Sequence, residues 1–198
     1  MGLDLDYTDG QTPLDEDEKE GLLVPTITTR GELDEFEQLG VEKAVEWTRK
    51  KKFGLDRILT EEFVRELHRK MFDEVWKWAG EFRSTNKNIG VDKELIRIEL
   101  KNLLDDCCYW IDHKAFSKDE IAIRFSHRIV KIHPFVNGNG RHARLIADIL
   151  ISHGFGQPYF TWGSVSLTAK GTARSAYLKA LHDADENDYI ALIEFARK

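Results

Sequence analysis

The sequence predicts a single all-α domain with a small β-hairpin within it and an acidic arm ahead of it. Three observations carry that prediction. Apolar residues recur at helical spacing, as in Phe63, Val64, Leu67, Met71 and Val75. Residues that start helices stand where such runs open, Thr60 and Ser117 above all, with Glu120 three residues after Ser117. One internal stretch reads as extended: 81–92, EFRSTNKNIGVD, sets polar residues among Phe82, Ile89 and Val91, and Gly90 offers a turn.

Residues 1–29 form the acidic arm, and 30–198 form the helical domain. Asp4, Asp6, Thr8 and Asp9 hint at a calcium loop, but Asp9 stands where the turn needs glycine and Asp15 replaces the closing glutamate, so calcium is rejected. Leu22-Leu23-Val24 before Pro25 docks the arm on the domain. A first helix is expected from Gly31 to about Lys51, with Leu33, Phe36, Ala44 and Val45 inward and a lysine cluster at its end to suit the dipole. Thr60 caps a second helix to about Trp78, and Gly80 stops it. A third runs from about Lys93 to Asp112, burying Leu95, Ile98, Leu103 and Trp110 or its neighbours. Ser117 opens a fourth with Ile121, Phe125 and Ile129 on one stripe, ending near Ile132 because Pro134 forbids simple continuation. After a helix carrying Leu145, Ile146, Ile149 and Leu150, the glycines at 154 and 156 and Pro158 mark a break. Two further helices are expected, over about Gly171 to Ala184 and Asp188 to Arg197.

Composition narrows the function classes. A chain of 198 residues suits one domain with a full core, and 41% hydrophobic with 32% charged residues describes an ordinary globule. A net charge of -6 argues against direct nucleic-acid binding. No apolar run reaches membrane-spanning length and the N-terminus lacks the basic opening of a signal peptide, so the expectation is a cytoplasmic protein with no membrane partner. Cys107 and Cys108 are adjacent, which suits neither a mutual disulfide nor zinc; at least one is expected in the core.

The chemistry concentrates in His133 to Arg144, HPFVNGNGRHAR. Asn137-Gly138-Asn139-Gly140 takes backbone conformations that other residues resist, and it feeds a helix start. The first amides of a helix have no internal partner and the dipole is positive there, so such an end suits a phosphate. Arg141 and Arg144, three apart, flank that end from neighbouring turns, and His133 sets a titratable group beside it. Gly138 to Ala143 also matches the dinucleotide fingerprint formally, but that fingerprint must follow a strand, and here a capped helix precedes it. Zinc fails because His127, His133 and His142 lack ligand spacing.

These twelve residues resemble the motif of the Fic (Fido) family, HPFx(D/E)GNGRxxR. The match holds at His133, Pro134, Phe135, Gly138, Asn139, Gly140, Arg141 and Arg144, and the likeness extends over roughly 60–155. It fails at Asn137, which stands where the family has a metal-binding carboxylate. The variant is similar to the group called mobile mystery protein B. The resemblance implies a protein adenylyltransferase, moving AMP from ATP to a Ser, Thr or Tyr hydroxyl of a target protein. In those terms His133 is the general base, Gly138, Asn139 and Gly140 cradle the phosphates, and Arg141 and Arg144 neutralise the β and γ groups. Asn137 is left as a weak ligand for Mg²⁺. Asn88, Ile89 and Gly90 belong to a hairpin flap that docks the target by main-chain pairing. Glu20-Gly21 half keeps an inhibitory pattern whose glutamate would reach Arg144, and it also reads as one carboxylate in a solvated acidic run. A Fido-type phosphotransferase, or a nucleotide-binding regulatory module that has lost turnover, stays open beside AMP transfer. The group likeness further implies a toxin-antitoxin-like setting on a mobile element, with a small helix-turn-helix partner.

Overall fold

A computed structural model describes residues 13–164 and 171–198. The acidic positions 4, 6 and 9, and with them the rejected calcium loop, lie outside the described residues, as do residues 165–170. The described chain is helical throughout: α1 (Glu16–Lys19), α2 (Arg30–Arg49), α3 (Leu55–Ile58), α4 (Glu61–Phe72), α5 (Ile96–Asp112), α6 (Lys118–Ile132), α7 (Asn139–Ile149), α8 (Thr172–Asp185) and α9 (Ile190–Arg197).

α6 and α7 form the centre, with α4 and α5 packed beside them and α2 lying on α4. α4 buries Phe63, Val64, Leu67 and Met71 as its periodicity requires, and the Thr60 hydroxyl accepts from the Phe63 N–H at 3.1 Å. It ends six residues earlier than expected, at Phe72. The chain then turns through single-turn bonds, and Lys77 N–H and Leu23 N–H cross between this turn and the arm. α6 opens with the Ser117 hydroxyl accepting from Glu120 N–H at 3.2 Å, but the Glu120 carboxylate turns to Arg124 instead of closing the capping box. Two expected faces are shifted. α5 buries Ile96, Leu100, Leu103, Leu104 and Cys107, leaving Leu95 and Ile98 exposed, and α2 buries Leu33, Glu37, Gly40, Ala44 and Thr48, leaving Phe36 exposed. Cys107 is the buried cysteine; Cys108 is exposed, and both are free thiols.

The expected β-hairpin over 81–92 is absent among the described residues: the segment makes one isolated bridge, Phe82 to Phe135, and no paired strands. One side chain does what cross-strand pairing would have done. The Arg83 guanidinium, almost wholly buried, donates to the carbonyls of His133 (2.7 Å), Thr85 (2.8 Å) and Val91, and its main-chain N–H donates to Pro134 O at 2.9 Å. With its guanidinium among these carbonyls, the segment needs no second strand to stay folded against the end of α6.

The arm residues from 13 onward pack on the domain. Leu14 and Ile27 are buried, and Leu22 bridges Trp76. Glu18 on α1 is the arm's inward carboxylate: it accepts from the Thr85 hydroxyl at 2.8 Å and pairs with the Lys87 ammonium.

Candidate active site

The C-terminal end of α6 and the N-terminal end of α7 face each other across residues 133–138. His133 closes α6 in the left-handed region (φ 54°, ψ 58°), a conformation non-glycine residues rarely adopt. Arg83 supports it by donating to the open carbonyls of that helix end. The loop then bends through Gly138 (φ 76°) into α7.

Each loop residue has its own brace. Asn139, 2% exposed, accepts from Phe135 N–H at 3.0 Å and donates its amide to Phe135 O at 2.9 Å. Its side chain is therefore engaged in closing the loop, and only its main chain remains for an anion. His68 of α4 takes the Gly80 N–H on Nδ1 (3.0 Å), so its proton lies on Nε2, which donates to Asn137 O at 3.0 Å. Burial, then the neighbouring His142, hold the His68 pKa well below its usual value, in keeping with that neutral tautomer. The Asn137 side-chain oxygen accepts from Gly138 N–H at 2.6 Å.

The two arginines flank the start of α7. Arg141 donates to Glu37 of α2 at 2.6 Å and lies over the Phe72 ring, 4.9 Å from its centre. Glu37 also accepts from Trp76 Nε1 at 2.6 Å. Arg144 folds back over Gly140, its Nη1 3.8 Å from where a Cβ there would sit, and it packs over the Tyr177 ring of α8 at 5.4 Å. Together these groups line an open cleft of about 780 Å³. The cleft gathers His133, Asn137, Gly138, Asn139, Gly140, Arg141, Arg144 and the segment Asn88-Ile89-Gly90. Gly90 lies close against His133: a Cβ there would be 2.6 Å from His133 Cβ. Glu20 stands apart from this group, exposed at the end of α1, with no hydrogen bond to Arg144 among the described residues. The apolar segment Tyr159 to Trp162 does not line the cleft; it packs behind α7, where Phe160 N–H and Trp162 Nε1 donate to Asp148 at 3.3 and 3.1 Å.

A sequence profile described as the Fic/DOC family matches residues 58–151, which take in α4 to α7 and the whole loop. Residues 58–151 are a Fic/DOC family domain. The chain is 33% identical over 124 residues to a probable protein adenylyltransferase, y4lH, of Sinorhizobium fredii, covering 58% of this chain and 62% of that protein. It is 23% identical over 170 residues to a protein adenylyltransferase Fic of Nematostella vectensis, covering 84% and 38%. The chain thus spans less than two thirds of the length of these relatives. Among solved structures, the N-terminal Fic domain of a Bartonella quintana cell filamentation protein superposes with a TM-score of 0.68 at 17% identity, covering 87% of this chain and 84% of that one. BepC of Bartonella tribocorum, solved with bound AMPPNP, gives 0.66 at 18% identity, covering 91% and 95%. These likenesses agree on the helical fold.

Within the Fic domain, burial first, then Arg83 and Lys87, bring the His133 pKa down to about 4, against a hydrogen bond with the Val130 main chain. The imidazole is therefore neutral at pH 7 rather than partly protonated, with Nδ1 buried and the residue lining the cleft. His142 is likewise brought to about 4 by burial, and His127 is lowered. Asp148 goes the other way, pushed up to about 7 by burial. As pH falls below about 6.5, the unfolded chain takes up protons on histidines that the fold keeps neutral, so their stabilisation, present above that pH, is lost toward pH 4. Asp148 contributes stability below its ordinary value that is lost as pH rises through 7, and it offsets one histidine. The melting temperature is expected to fall by roughly 5–10 °C between pH 7 and pH 5. Calorimetry at the two pH values checks it, and an equal or higher value at pH 5 would contradict neutral imidazoles.

Gly138 is expected to be intolerant. An alanine Cβ would lie 2.6 Å from two ring carbons of Phe72, at a φ of 76°. The ring cannot yield without moving Arg141, which rests on it. Gly138→Ala should cost roughly 2–4 kcal/mol in urea unfolding, and an unchanged midpoint would show that the loop can slide.

Sequence reading missed His68, Arg83 and Glu37, the groups that hold the loop, the base and the first arginine. Glu37 was the findable one, since it stands four after Leu33 and three before Gly40 on the stripe that is buried.

Proposed function

We propose that the protein is a protein adenylyltransferase that moves AMP from ATP to a Ser, Thr or Tyr hydroxyl of a target protein. The observation that carries this reading is the meeting of His133, the start of α7 with its two arginines, and the exposed edge 88–90 in one cleft. The relatives named as protein adenylyltransferases support the same class.

The target segment lies along residues 88–90 and offers main-chain groups to their exposed backbone, which sets its hydroxyl at His133. His133 takes the hydroxyl proton on Nε2 as the oxygen attacks the α-phosphorus, the bond to the bridging oxygen breaks, and pyrophosphate leaves. The first amides of α7 at Asn139, Gly140 and Arg141 have no partner inside the helix and face the phosphates, and Arg141 and Arg144 hold the β and γ groups. Fic-type sites imply Mg²⁺, but the donors here do not fit one, since the Asn137 oxygen already accepts from Gly138. That engaged oxygen favours a second reading, a nucleotide-binding regulatory module without turnover. The likeness to mobile mystery protein B adds a small helix-turn-helix partner to the reading, and the half-kept inhibitory pattern at Glu20-Gly21 adds Glu20 in the arm as an inhibitory residue.

ATP labelled separately at the α and γ phosphorus, incubated with the protein and host lysate, tests the proposal. Protein-bound label from the α position alone is the expected result. Label from the γ position alone would mean phosphotransfer, and none from either would mean the regulatory module.

A further inference from the structure

The site solves the charge of a triphosphate without a carboxylate, and this inference rests on the nucleotide-transfer reading above. Both Asn137 oxygens are committed inside the loop, the main-chain one to His68 Nε2 and the side-chain one to Gly138 N–H. Asn137 brings no negative charge, each of its oxygens already accepts one hydrogen bond, and its NH₂ group is a donor that suits a phosphate oxygen. Of the acids that line the cleft, Asp34, Asp185 and Glu186, the two aspartates have cationic or histidine partners of their own. Asp34 pairs with Arg30 at 2.9 Å, and Asp185 with His127 at 3.1 Å and Lys131 at 3.3 Å. Among the described residues no three His, Cys, Asp or Glu side chains come together in a way that could hold a metal ion.

Guanidinium groups converge instead. Arg144 lies between Gly140 and Tyr177, so it reaches from the start of α7 to the face of α8 that carries Tyr177. Arg174 stands three residues before Tyr177 on α8, one turn away on the same face, and it lines the same cleft. Arg141, Arg144 and Arg174 thus line one cleft from two helices, with Arg141 also paired to Glu37. Planar forks can take several phosphate oxygens at once. We infer that Arg174 is a third phosphate-binding arginine, and that the protein neutralises the polyphosphate tail of its nucleotide with guanidinium groups rather than with a divalent cation held by its own side chains.

Calorimetric titration with ATP and with AMP, each in EDTA and in Mg²⁺, tests this on the whole chain. The wild-type affinity for ATP should change by no more than about twofold between EDTA and Mg²⁺. Arg174→Gln should weaken ATP about tenfold while leaving AMP within about twofold, because AMP lacks the outer phosphates. Arg174→Lys, which keeps the charge but not the fork, should fall between. Asn137→Asp should make ATP binding stronger in Mg²⁺ than in EDTA. A wild-type affinity that drops tenfold or more in EDTA would overturn the inference, as would an Arg174→Gln protein that binds ATP normally or that loses AMP and ATP equally. Wild-type protein that binds neither nucleotide would overturn the nucleotide reading itself.

Discussion

His133→Ala is expected to lower transfer of label from α-labelled ATP by roughly 10²–10⁴-fold, the usual worth of a positioned general base. ATP affinity should hardly change, because the phosphate groups are held by α7 and its arginines while His133 ends α6. The loss should therefore fall on turnover. The imidazole is already deprotonated far below neutral pH, since its pKa is brought to about 4. The wild-type rate should then stay level from pH 8 down to about 5, where an unshifted histidine would halve it near 6.5. A rate that survives the substitution, or that falls away near 6.5, would remove His133 from the role of base. Alanine is also a fair probe of chemistry rather than of folding. The side chain is small in the core, and the left-handed turn at 133 is fixed by Arg83 and Pro134 main-chain bonds that do not involve the ring.

Glu37→Ala should destabilise the protein by about 3–5 kcal/mol, because it leaves the Arg141 charge against a largely buried wall with no counter-ion. Glu37 is 1% exposed and receives both Arg141 Nη2 and Trp76 Nε1, so two donors lose their partner at once. The double variant Glu37→Ala with Arg141→Ala should recover part of the loss, since it removes the stranded charge as well. Urea unfolding of the two single variants and the double variant measures this. Full additivity would show that the pair is not coupled, and that Glu37 acts only as the partner of Trp76.

The helical fold and the cleft's central residues were legible for a common reason. Helices announce themselves through local periodicity and caps, and HPFVNGNGRHAR is a run of adjacent residues whose chemistry is local to it. What failed was non-local. The hairpin over 81–92 was read from alternation, but a single buried arginine collects the carbonyls that a second strand would have bonded, and alternation cannot reveal that. On α5, Leu103 is buried as expected, but Leu95 and Ile98 only look apolar enough to join it, and Ile96, Leu100 and Cys107 are buried with it instead. On α2 a slip of one residue favoured Phe36 and hid Glu37, the acid that Arg141 needs. His68 carried no signal in sequence, because its partners Gly80 and Asn137 are 12 and 69 residues away.

The contact between α1 and the segment after Arg83 ties distant parts of the chain into one mechanical piece. Lys87 is 4% exposed in its side chain, and its ammonium is gripped by Glu18 and by Asp15 at 2.9 Å, while Trp78 Nε1 holds Glu18 O at 3.1 Å. Asn88 is the next residue, and the edge 88–90 begins there. Force, crosslinking or a partner's grip applied at residues 13–20 is thus delivered within one peptide bond of the surface where a substrate protein would lie, and through Gly90 to His133 itself. The first described residues are thereby tied, through Glu18 and Lys87, to the edge of the cleft that holds His133.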